Sequence, residues 1–419
     1  MGLFKSLGPA LAIAVFTTLI AGLTLIPAVA SLLGTKVFWP SKAWKVEPSG
    51  ARFAAIGRSV GAHPARYAAI SGALLVILSI FALNFHPTFD LTGSSTSGTA
   101  ESTVWQNELI AKGGSAGATE PTVVYVQSTS GQPLDTTQLS AYAAKLDKVP
   151  GVGTVSAPNL SPNKTVAAFQ VALSDNAQSS QAMQTVRGPL RDVAHSQAPA
   201  GTTAYVGGIT SIFVDIQAAV NHDYSVVFPV AAILIMIILG LLLRSLVAPW
   251  YLMVSVGLGF VATLGATVLV FQEAKGDSGL IFMLPVIMYL FVVALGTDYN
   301  ILMVARLREE AREGLSPRDA AAMAVRHAGP TIAAAGVILA GTFASLMLAG
   351  NSLLVEMGFA ISIGIVFVAF VMALFLTPSL TALIGHAAWW PGHADADKHA
   401  QAAPGGEPEP ELVGGAFRS

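Results

Sequence analysis

One acidic side chain, Asp298, lies inside a long apolar stretch of the sequence, where a carboxylate needs a specific explanation. On insertion scales, an ionised carboxylate at the middle of a membrane helix costs about 2.5–3.5 kcal/mol. Burial favours the neutral acid, so such a group can take up and release a proton under working conditions. We therefore expect Asp298 to be a buried, proton-exchanging group. A purely structural role, in which the carboxyl bonds a polar group on another helix, stays open.

Tyr299 follows Asp298 directly and supplies a hydroxyl that can donate to the charged carboxylate or accept from its neutral form. Successive residues of a helix point about 100° apart, so the two side chains should face different neighbours. Ala294 and Gly296 come just before them, and their small size should let another helix approach closely. For Tyr299 alone, a packing role is as good an explanation as a chemical one.

The remaining candidates favour simpler explanations. Asp223 and Tyr224 repeat the Asp-Tyr dipeptide, but at the outer edge of a predicted span, where a cap and an interfacial anchor are expected. Glu356 should be a solvated carboxylate at a helix start. A solvated tail explains five C-terminal residues better than weak metal binding does: His386, His393, Asp395, Asp397 and His399. We predict no metal site and no cofactor, and the absence of cysteine excludes disulfides and thiol catalysis.

The elements that must position these residues follow from composition. Of 419 residues, 53% are hydrophobic and 11% are charged, whereas a soluble domain carries about 25% charged residues. A helix of about 20 apolar residues crosses a bilayer. Seven stretches qualify, at residues 8–33, 67–85, 224–243, 249–271, 280–305, 331–349 and 353–384.

Lysine and arginine predict the orientation, because short loops rich in them stay cytoplasmic. They collect within residues 36–66 and 306–326 and at Arg244, which fall on one side if the spans alternate. The region 86–222 then lies outside, and the C-terminal tail is cytoplasmic. We expect a multi-pass protein of the plasma membrane in contact with membrane lipids. A net charge of -2 without a basic stripe gives no reason to expect nucleic acid as a partner.

The polar region 86–222 shows its own pattern. It predicts strands at 121–127, 152–157, 165–173 and 202–206, with helices at 136–147 and 179–194. This βαββαβ order indicates a small ferredoxin-like α+β domain with one sheet face covered. The predicted fold class is therefore an α-helical integral membrane protein with about seven transmembrane helices and one inserted α+β external domain.

A repeat is the most informative feature of the organisation. Pro27, Gly34, Phe38, Trp39 and Pro40 recur at one constant offset as Pro378, Gly385, Trp389, Trp390 and Pro391. Each copy ends an apolar helix with an aromatic pair and a proline, which suits the membrane interface. The simplest explanation is a duplicated transporter, of which this chain carries the last helix of one repeat and all of the next. An amino-terminal half would then be missing.

The repeat and the spans together predict six segments. These are a last helix of the first repeat at 1–40, a cytoplasmic linker at 41–66, a transmembrane helix at 67–85, the external domain at 86–222, a five-helix bundle at 223–391 and a disordered cytoplasmic tail at 392–419.

Taken together, these features resemble the MMPL family of the RND transporter superfamily. The resemblance lies in the run Leu295–Glu310 (LGTDYNILMVARLREE), in the run Gly329–Phe343 (GPTIAAAGVILAGTF) and in the two helix ends with aromatic residues and proline. It implies two six-helix repeats, each with an external porter domain, and export of lipids or other apolar compounds driven by the proton gradient. It also places Asp298 and Tyr299 on the proton-relay pair of the second repeat. The partner pair of the first repeat is absent from this sequence, which therefore holds half a relay.

We therefore expect proton-coupled export of a hydrophobic or lipid-like substrate, with protons as the coupling ion and with a separate half or an oligomeric partner completing the relay. A lipid-sensing or scaffold protein is the alternative. We do not expect an enzyme, since intramembrane aspartyl proteolysis would need a second carboxylate facing Asp298.

Overall fold

The computed structural model describes residues 2–38, 51–89, 101–112, 114–277, 279–349 and 351–392. Its α-helices are α1 (Gly2–Leu33), α2 (Ala51–Ala62), α3 (Pro64–Phe81), α4 (Glu101–Ala111), α5 (Thr136–Leu146), α6 (Ser180–Thr185), α7 (Arg191–Ser196), α8 (Ile209–Leu243), α9 (Ala248–Val268), α10 (Leu284–Met288), α11 (Ala294–Arg312), α12 (Pro317–Ala344), α13 (Ser352–Val366) and α14 (Thr377–Ile384). Its strands are β1 (Pro87–Thr88), β2 (Thr122–Ser128), β3 (Val152–Val155), β4 (Asn159–Leu160), β5 (Val166–Leu173), β6 (Thr202–Gly207) and β7 (Leu280–Ile281).

Seven helical segments of the described chain are long and apolar enough to cross a membrane, as the sequence predicted. They are Gly8–Lys36, Pro64–Asn84, Ile209–Leu243, Ala248–Ala274, Leu284–Arg312, Pro317–Ala349 and Ser352–Trp389. Short π-helical segments join consecutive α-helices within two of them, at Tyr289–Val293 and Phe367–Leu376. The chain is thus an integral membrane protein that is mostly helical.

The sixth span begins earlier than predicted, at Pro317 rather than at residue 331. Ser316 caps it, because its Oγ accepts a hydrogen bond from the Asp319 N–H at 3.3 Å, and Pro317 occupies the first helical position. The first half of α12 carries charged residues such as Arg318 and Arg326. A search for apolar runs cannot detect that half, although its capping signal is visible in the sequence.

The predicted linker at 41–66 contains the helix α2, and its residues 41–50 lie outside the described part of the chain. This helix packs along α12 through two glycines. A methyl group on Gly57 would lie 2.2 Å from the Ala322 carbonyl oxygen, and one on Gly61 would lie 2.6 Å from the Arg318 carbonyl oxygen. Because no other residue permits so close an approach, the segment is a docked helix and not a free linker.

The region between the second and third spans forms an α+β unit. Its sheet has the order β3-β5-β2-β6, and β4 also pairs with β5, with every pairing antiparallel. Between β5 and β6, α6 and α7 are joined by a π-helical segment, Val186–Leu190, into one helical stretch. The four predicted strands and two predicted helices therefore agree with observed elements to within a few residues, whereas α4 and β4 were not predicted.

One face of this sheet is covered by helices. Alternate residues of β5, among them Phe169 and Val171, are buried against α5 and the stretch α6–α7. Tyr142 of α5 donates a hydrogen bond to the Ala194 carbonyl at 2.8 Å, and burial raises the pKa of its hydroxyl, which keeps it protonated as a donor. The paired residues Tyr125 and Tyr205 are exposed on the opposite face.

Two connections join the α+β unit to the helical bundle. The predicted boundary at 222/223 falls inside α8, which runs unbroken from the end of β6 into the bundle. The second connection is a two-stranded parallel sheet of β1 and β7. Beside it, the buried Phe89 ring stacks on Phe282 with centroids 4.1 Å apart.

The bundle core is formed mainly by α9, α11, α12, α13 and the segment Phe367–Leu376. In contrast, none of the apolar stretch of α1 is buried. Of the repeated aromatic residues, Trp389 is buried and Trp390 is half-exposed, whereas Trp39 and Pro40 lie outside the described residues.

Candidate functional site

Asp298 lies halfway along the fifth span, Leu284–Arg312. In a helix that crosses the bilayer, this position places the carboxyl near the middle of the hydrocarbon layer. The expectation of a buried carboxyl was wrong for the chain as described, because the Asp298 side chain is exposed on the surface of the bundle. The structure therefore presents an acidic group at membrane depth on an open face.

An exposed stripe along the span surrounds this carboxyl. Leu290, Ala294, Leu302 and Ala305 are exposed on the same face as Asp298, as their spacing of three or four residues requires. The stripe is apolar except for Asp298 at its centre. A lone carboxylate in such a surface is costly in lipid, so this face calls for a partner surface with polar groups or for a neutral Asp298.

Tyr299 points the other way. Its side chain is 6% exposed and belongs to the bundle core, so the prediction that the two residues face different neighbours is confirmed. Sequence alone could not tell which of the two would be inside, since either rotation of the helix is compatible with an apolar run.

The two small residues before Asp298 have different environments. A methyl group on Gly296 would lie 3.4 Å from Cγ2 of Val368 and 3.5 Å from Val256, so this glycine allows α9 and the last span to pack closely. Ala294 was expected to do the same, but it is exposed beside Asp298. Close packing beside the candidate pair is therefore confirmed for Gly296 and not for Ala294.

A buried polar network adjoins Tyr299, and the sequence analysis missed it. Asn300 is 1% exposed, and its Oδ1 accepts a hydrogen bond from the Thr377 hydroxyl at 2.7 Å. One turn further on, the hydroxyl of Thr381 lies 2.8 Å from that of Tyr251 on α9. The sequence does contain a signal for this network, because Thr377 and Thr381 are spaced four residues apart within an apolar span.

A second polar cluster was also missed, at the end of α11. The Glu310 carboxylate is 2% exposed and accepts a hydrogen bond from Arg306 at 2.9 Å, and Nδ1 of His327 on α12 lies 2.9 Å from the same oxygen. The sequence predicts only that Arg306 is one of the basic residues that set the orientation. The helical extension of α12 to Pro317 is what brings His327 beside α11.

An apolar groove of about 390 Å³ lies between α8 and α9. Its walls are aromatic, and the Phe228 ring stacks on Tyr289 with centroids 3.9 Å apart. The lining also includes Met236, Trp250 and Phe260. The surface is suited to hydrocarbon.

Comparison with known proteins identifies the family. The MMPL family model matches residues 1–67 and 95–403, which include Asp298, Tyr299 and most of the described chain. The chain belongs to the MMPL family. Membership of the RND superfamily follows from that assignment.

Similar proteins are known from several bacteria. The chain is 32% identical to the putative membrane protein ActII-3 of Streptomyces coelicolor over 92% of its own length and 53% of the relative's. It is 30% identical to the apo-petrobactin exporter of Bacillus anthracis over 93% and 54% of the two lengths. It is 34% identical to the probable transport protein MmpL12 of Mycobacterium tuberculosis over 57% and 21%. The chain thus spans about half the length of the curated relatives that it matches along most of its sequence.

Two carboxylates of this MMPL chain have environments that differ from those predicted from the sequence. Asp223 is not a cap at a helix end but a residue in the middle of α8, 3% exposed. Glu356 is not solvated, because it is 3% exposed and accepts a hydrogen bond from the Ile281 N–H. His393, Asp395, Asp397 and His399 lie outside the described residues.

Proposed function

We propose that this chain is the second-repeat half of a proton-motive-force-driven exporter of lipids or other hydrophobic compounds in the plasma membrane, with Asp298 and Tyr299 in its proton relay. The observation that carries the proposal is the exposed carboxyl of Asp298 halfway along a membrane span. MMPL membership and relatives named as a transport protein and an exporter support it.

Protonation of Asp298 supplies the driving step. An ionised Asp298 needs polar partners, whereas the neutral acid tolerates an apolar neighbour, so proton uptake changes which packing of α11 is preferred. Each elementary charge that crosses the membrane contributes about 2.3 kcal/mol per 100 mV, which is enough to shift an equilibrium between two helix arrangements. Tyr299 moves with Asp298 on the same helix and transmits that shift to the bundle core.

A second surface completes the relay. The stripe around Asp298 is open in the described chain, and we propose that the first repeat of the exporter covers it and presents its own polar groups to Asp298. Relatives about twice as long as the region they share with this chain support that arrangement.

The α+β unit acts as the external, ferredoxin-like porter domain, with the arginine-rich end of α11 and the C-terminal tail in the cytoplasm. Two features support this coupling of porter and bundle: α8 is continuous between them, and β7 is held by Glu356 of the last span. A shift of the bundle thereby reaches the porter domain.

The hydrophobic substrate enters along the groove between α8 and α9, whose lining is aromatic and apolar. We propose transport without covalent chemistry, so the chain needs no cofactor other than the coupling proton. Intramembrane proteolysis would require a second carboxylate beside Asp298. Glu356 is not that carboxylate, because it accepts a hydrogen bond from the Ile281 N–H.

The test is Asp298→Asn in membrane vesicles that contain both repeats. This variant keeps the size and hydrogen bonding of the side chain but cannot titrate, so it should accumulate normally and lose movement of an NBD-labelled phospholipid driven by an imposed pH gradient. A protonophore should abolish the same movement in the parent protein. Undiminished, gradient-driven movement in Asp298→Asn would refute the relay.

A further inference from the structure

A polar groove separates α11 from α12 at the arginine-rich end of the bundle. Its volume is about 470 Å³, enough for several water molecules at about 30 Å³ each. The residues that line it are Leu302, Ala305, Arg306, Glu309, His327, Ala328, Thr331 and Ile332. Unlike the groove between α8 and α9, it combines charged and apolar walls.

The groove begins one helical turn from Asp298. Leu302 comes one helical turn after Asp298 on the same exposed stripe, and Ala305 comes two turns after it. At a rise of 1.5 Å per residue, these positions lie about 6 Å and about 10 Å from Asp298 along the helix axis. The groove therefore extends from the arginine-rich end of the fifth span to within about one helical turn of the Asp298 carboxyl.

His327 stands at the wall of this groove with a fixed ring orientation. Its Nδ1 lies 2.9 Å from Oε1 of Glu310 and 2.8 Å from Nη2 of Arg306, and these two atoms also contact each other. Both contacts are made by the same ring nitrogen, and the tautomer decides which of them is a hydrogen bond to the ring. In the tautomer that donates Nδ1–H to Glu310, Nε2 is the ring nitrogen that exchanges protons.

We propose that the groove between α11 and α12 is the cytoplasmic proton exit of the relay, and that His327 is its proton carrier, positioned by Glu310 and Arg306. This inference rests on the proposed role of Asp298. The neutral acid of Asp298 gives its proton to water in the groove and becomes a carboxylate. Nε2 of His327 takes up that proton to form an imidazolium, which then releases it to cytoplasmic water.

The charges around His327 suit a group that gains and loses a proton. From α11 it faces Arg306, Glu310 and also Glu309, which pairs with Arg306. The docked helix α2 brings two exposed cations, Arg52 and Arg58, and α12 itself carries Arg326. Of the other helices packed on α12, α13 brings Glu356, which is bonded to Ile281, and His386 after α14 borders a separate cavity with Leu307 and Pro317.

Water access is tested with single cysteines, since the chain has none of its own. In inside-out vesicles, a charged, impermeant methanethiosulfonate should modify Leu302→Cys and Ala305→Cys from the cytoplasmic side. Two exposed positions serve as matched controls: Leu290→Cys, on the same stripe beyond Asp298, and Ile238→Cys, on the apolar face of α8. We expect the groove cysteines to react at least tenfold faster than either control, and equal rates would overturn the water-filled exit.

The role of His327 is tested by infrared spectroscopy of nanodiscs that contain both repeats. The protonated-carboxyl band of Asp298 is assigned by its loss in Asp298→Asn. After a jump to higher pH, His327→Gln should slow the decay of this band about tenfold or more without moving its titration midpoint, and millimolar imidazole should restore the rate. A merely structural role of His327 would not respond to imidazole.

The two proposals fail in different ways. A normal decay rate in His327→Gln, with the Asp298 band present, would overturn the carrier and leave the relay intact. A missing titratable band from Asp298 would instead overturn the relay on which the exit depends.

Discussion

The Glu356 carboxylate on the last span accepts a hydrogen bond from the backbone N–H of Ile281 at 2.9 Å. Ile281 belongs to β7, which pairs with β1 at the root of the α+β unit. The buried Glu356 of the bundle therefore anchors β7, the strand that pairs with β1 of the α+β unit. The contact joins residues 75 positions apart in the sequence, and no local pattern reveals it.

This contact predicts a graded response to substitution. Glu356→Gln keeps an oxygen acceptor for the Ile281 N–H and should change stability little. Glu356→Ala leaves that buried N–H unpaired, and it should lower the free energy of unfolding by about 1–3 kcal/mol. Thermal unfolding of the purified chain in detergent measures both, and equal losses in the two variants would show that the hydrogen bond is not what stabilises the junction.

Replacing two neighbouring polar residues of the site by leucine should affect the stability of the chain differently. Asn300 accepts from Thr377 inside the bundle, so Asn300→Leu should destabilise the chain by about 0.5–1.5 kcal/mol, a usual value for such bonds in membranes. Asp298 is exposed at membrane depth and packs against no core residue, so Asp298→Leu should not destabilise the chain. Unfolding in nanodiscs distinguishes the two. A loss in Asp298→Leu as large as in Asn300→Leu would favour a packing role for Asp298.

Helix α2 offers a test of packing with a matched glycine. Gly57→Ala would place a methyl group 2.2 Å from the Ala322 carbonyl oxygen, so α2 should detach from α12 and expose residues such as Phe53 to proteolysis. Gly72→Ala, in α3, meets nothing within 4 Å and should be neutral or stabilising, because alanine favours helix by about 1 kcal/mol over glycine. Limited proteolysis of both variants in native vesicles provides the comparison, and identical digestion patterns would argue against docking of α2.

Single cysteines also determine the orientation. Ser130 lies in an exposed turn of the α+β unit, Asn351 caps α13, and Glu313 follows α11. Cysteines at Ser130 and Asn351 should react with an impermeant thiol reagent added outside intact cells, and one at Glu313 should react only after permeabilisation. The reverse pattern would place the α+β unit in the cytoplasm.

Much of the fold could be predicted because its signals are local. Apolar runs predicted the seven spans, and the alternation of strands and helices predicted the α+β unit. The predictions that were wrong or missing depend on helix rotation and on contacts between distant segments. No local signal shows that Asp298 faces out while Tyr299 faces in, that Glu356 meets Ile281, or that His327 meets Glu310. The helical extension of α12 was visible in its cap, but an apolar-run criterion ignores polar helix ends.

The open face of α11 predicts that this chain will not transport without a partner surface. Reconstituted alone in vesicles with an imposed pH gradient, it should not move an NBD-labelled phospholipid, because none of the described residues forms a hydrogen bond or ion pair with Asp298 that could complete the relay. The exposed stripe through Leu290, Ala294, Asp298 and Leu302 should instead drive the chain to associate through that face, since a polar group in lipid is costly. Association through the stripe is measurable by cross-linking of Ala294→Cys, with Ile238→Cys on α8 as the control. Supplying a first repeat in trans should compete with that cross-link and restore movement that requires Asp298. Movement by the purified chain alone, dependent on Asp298, would show that one repeat suffices.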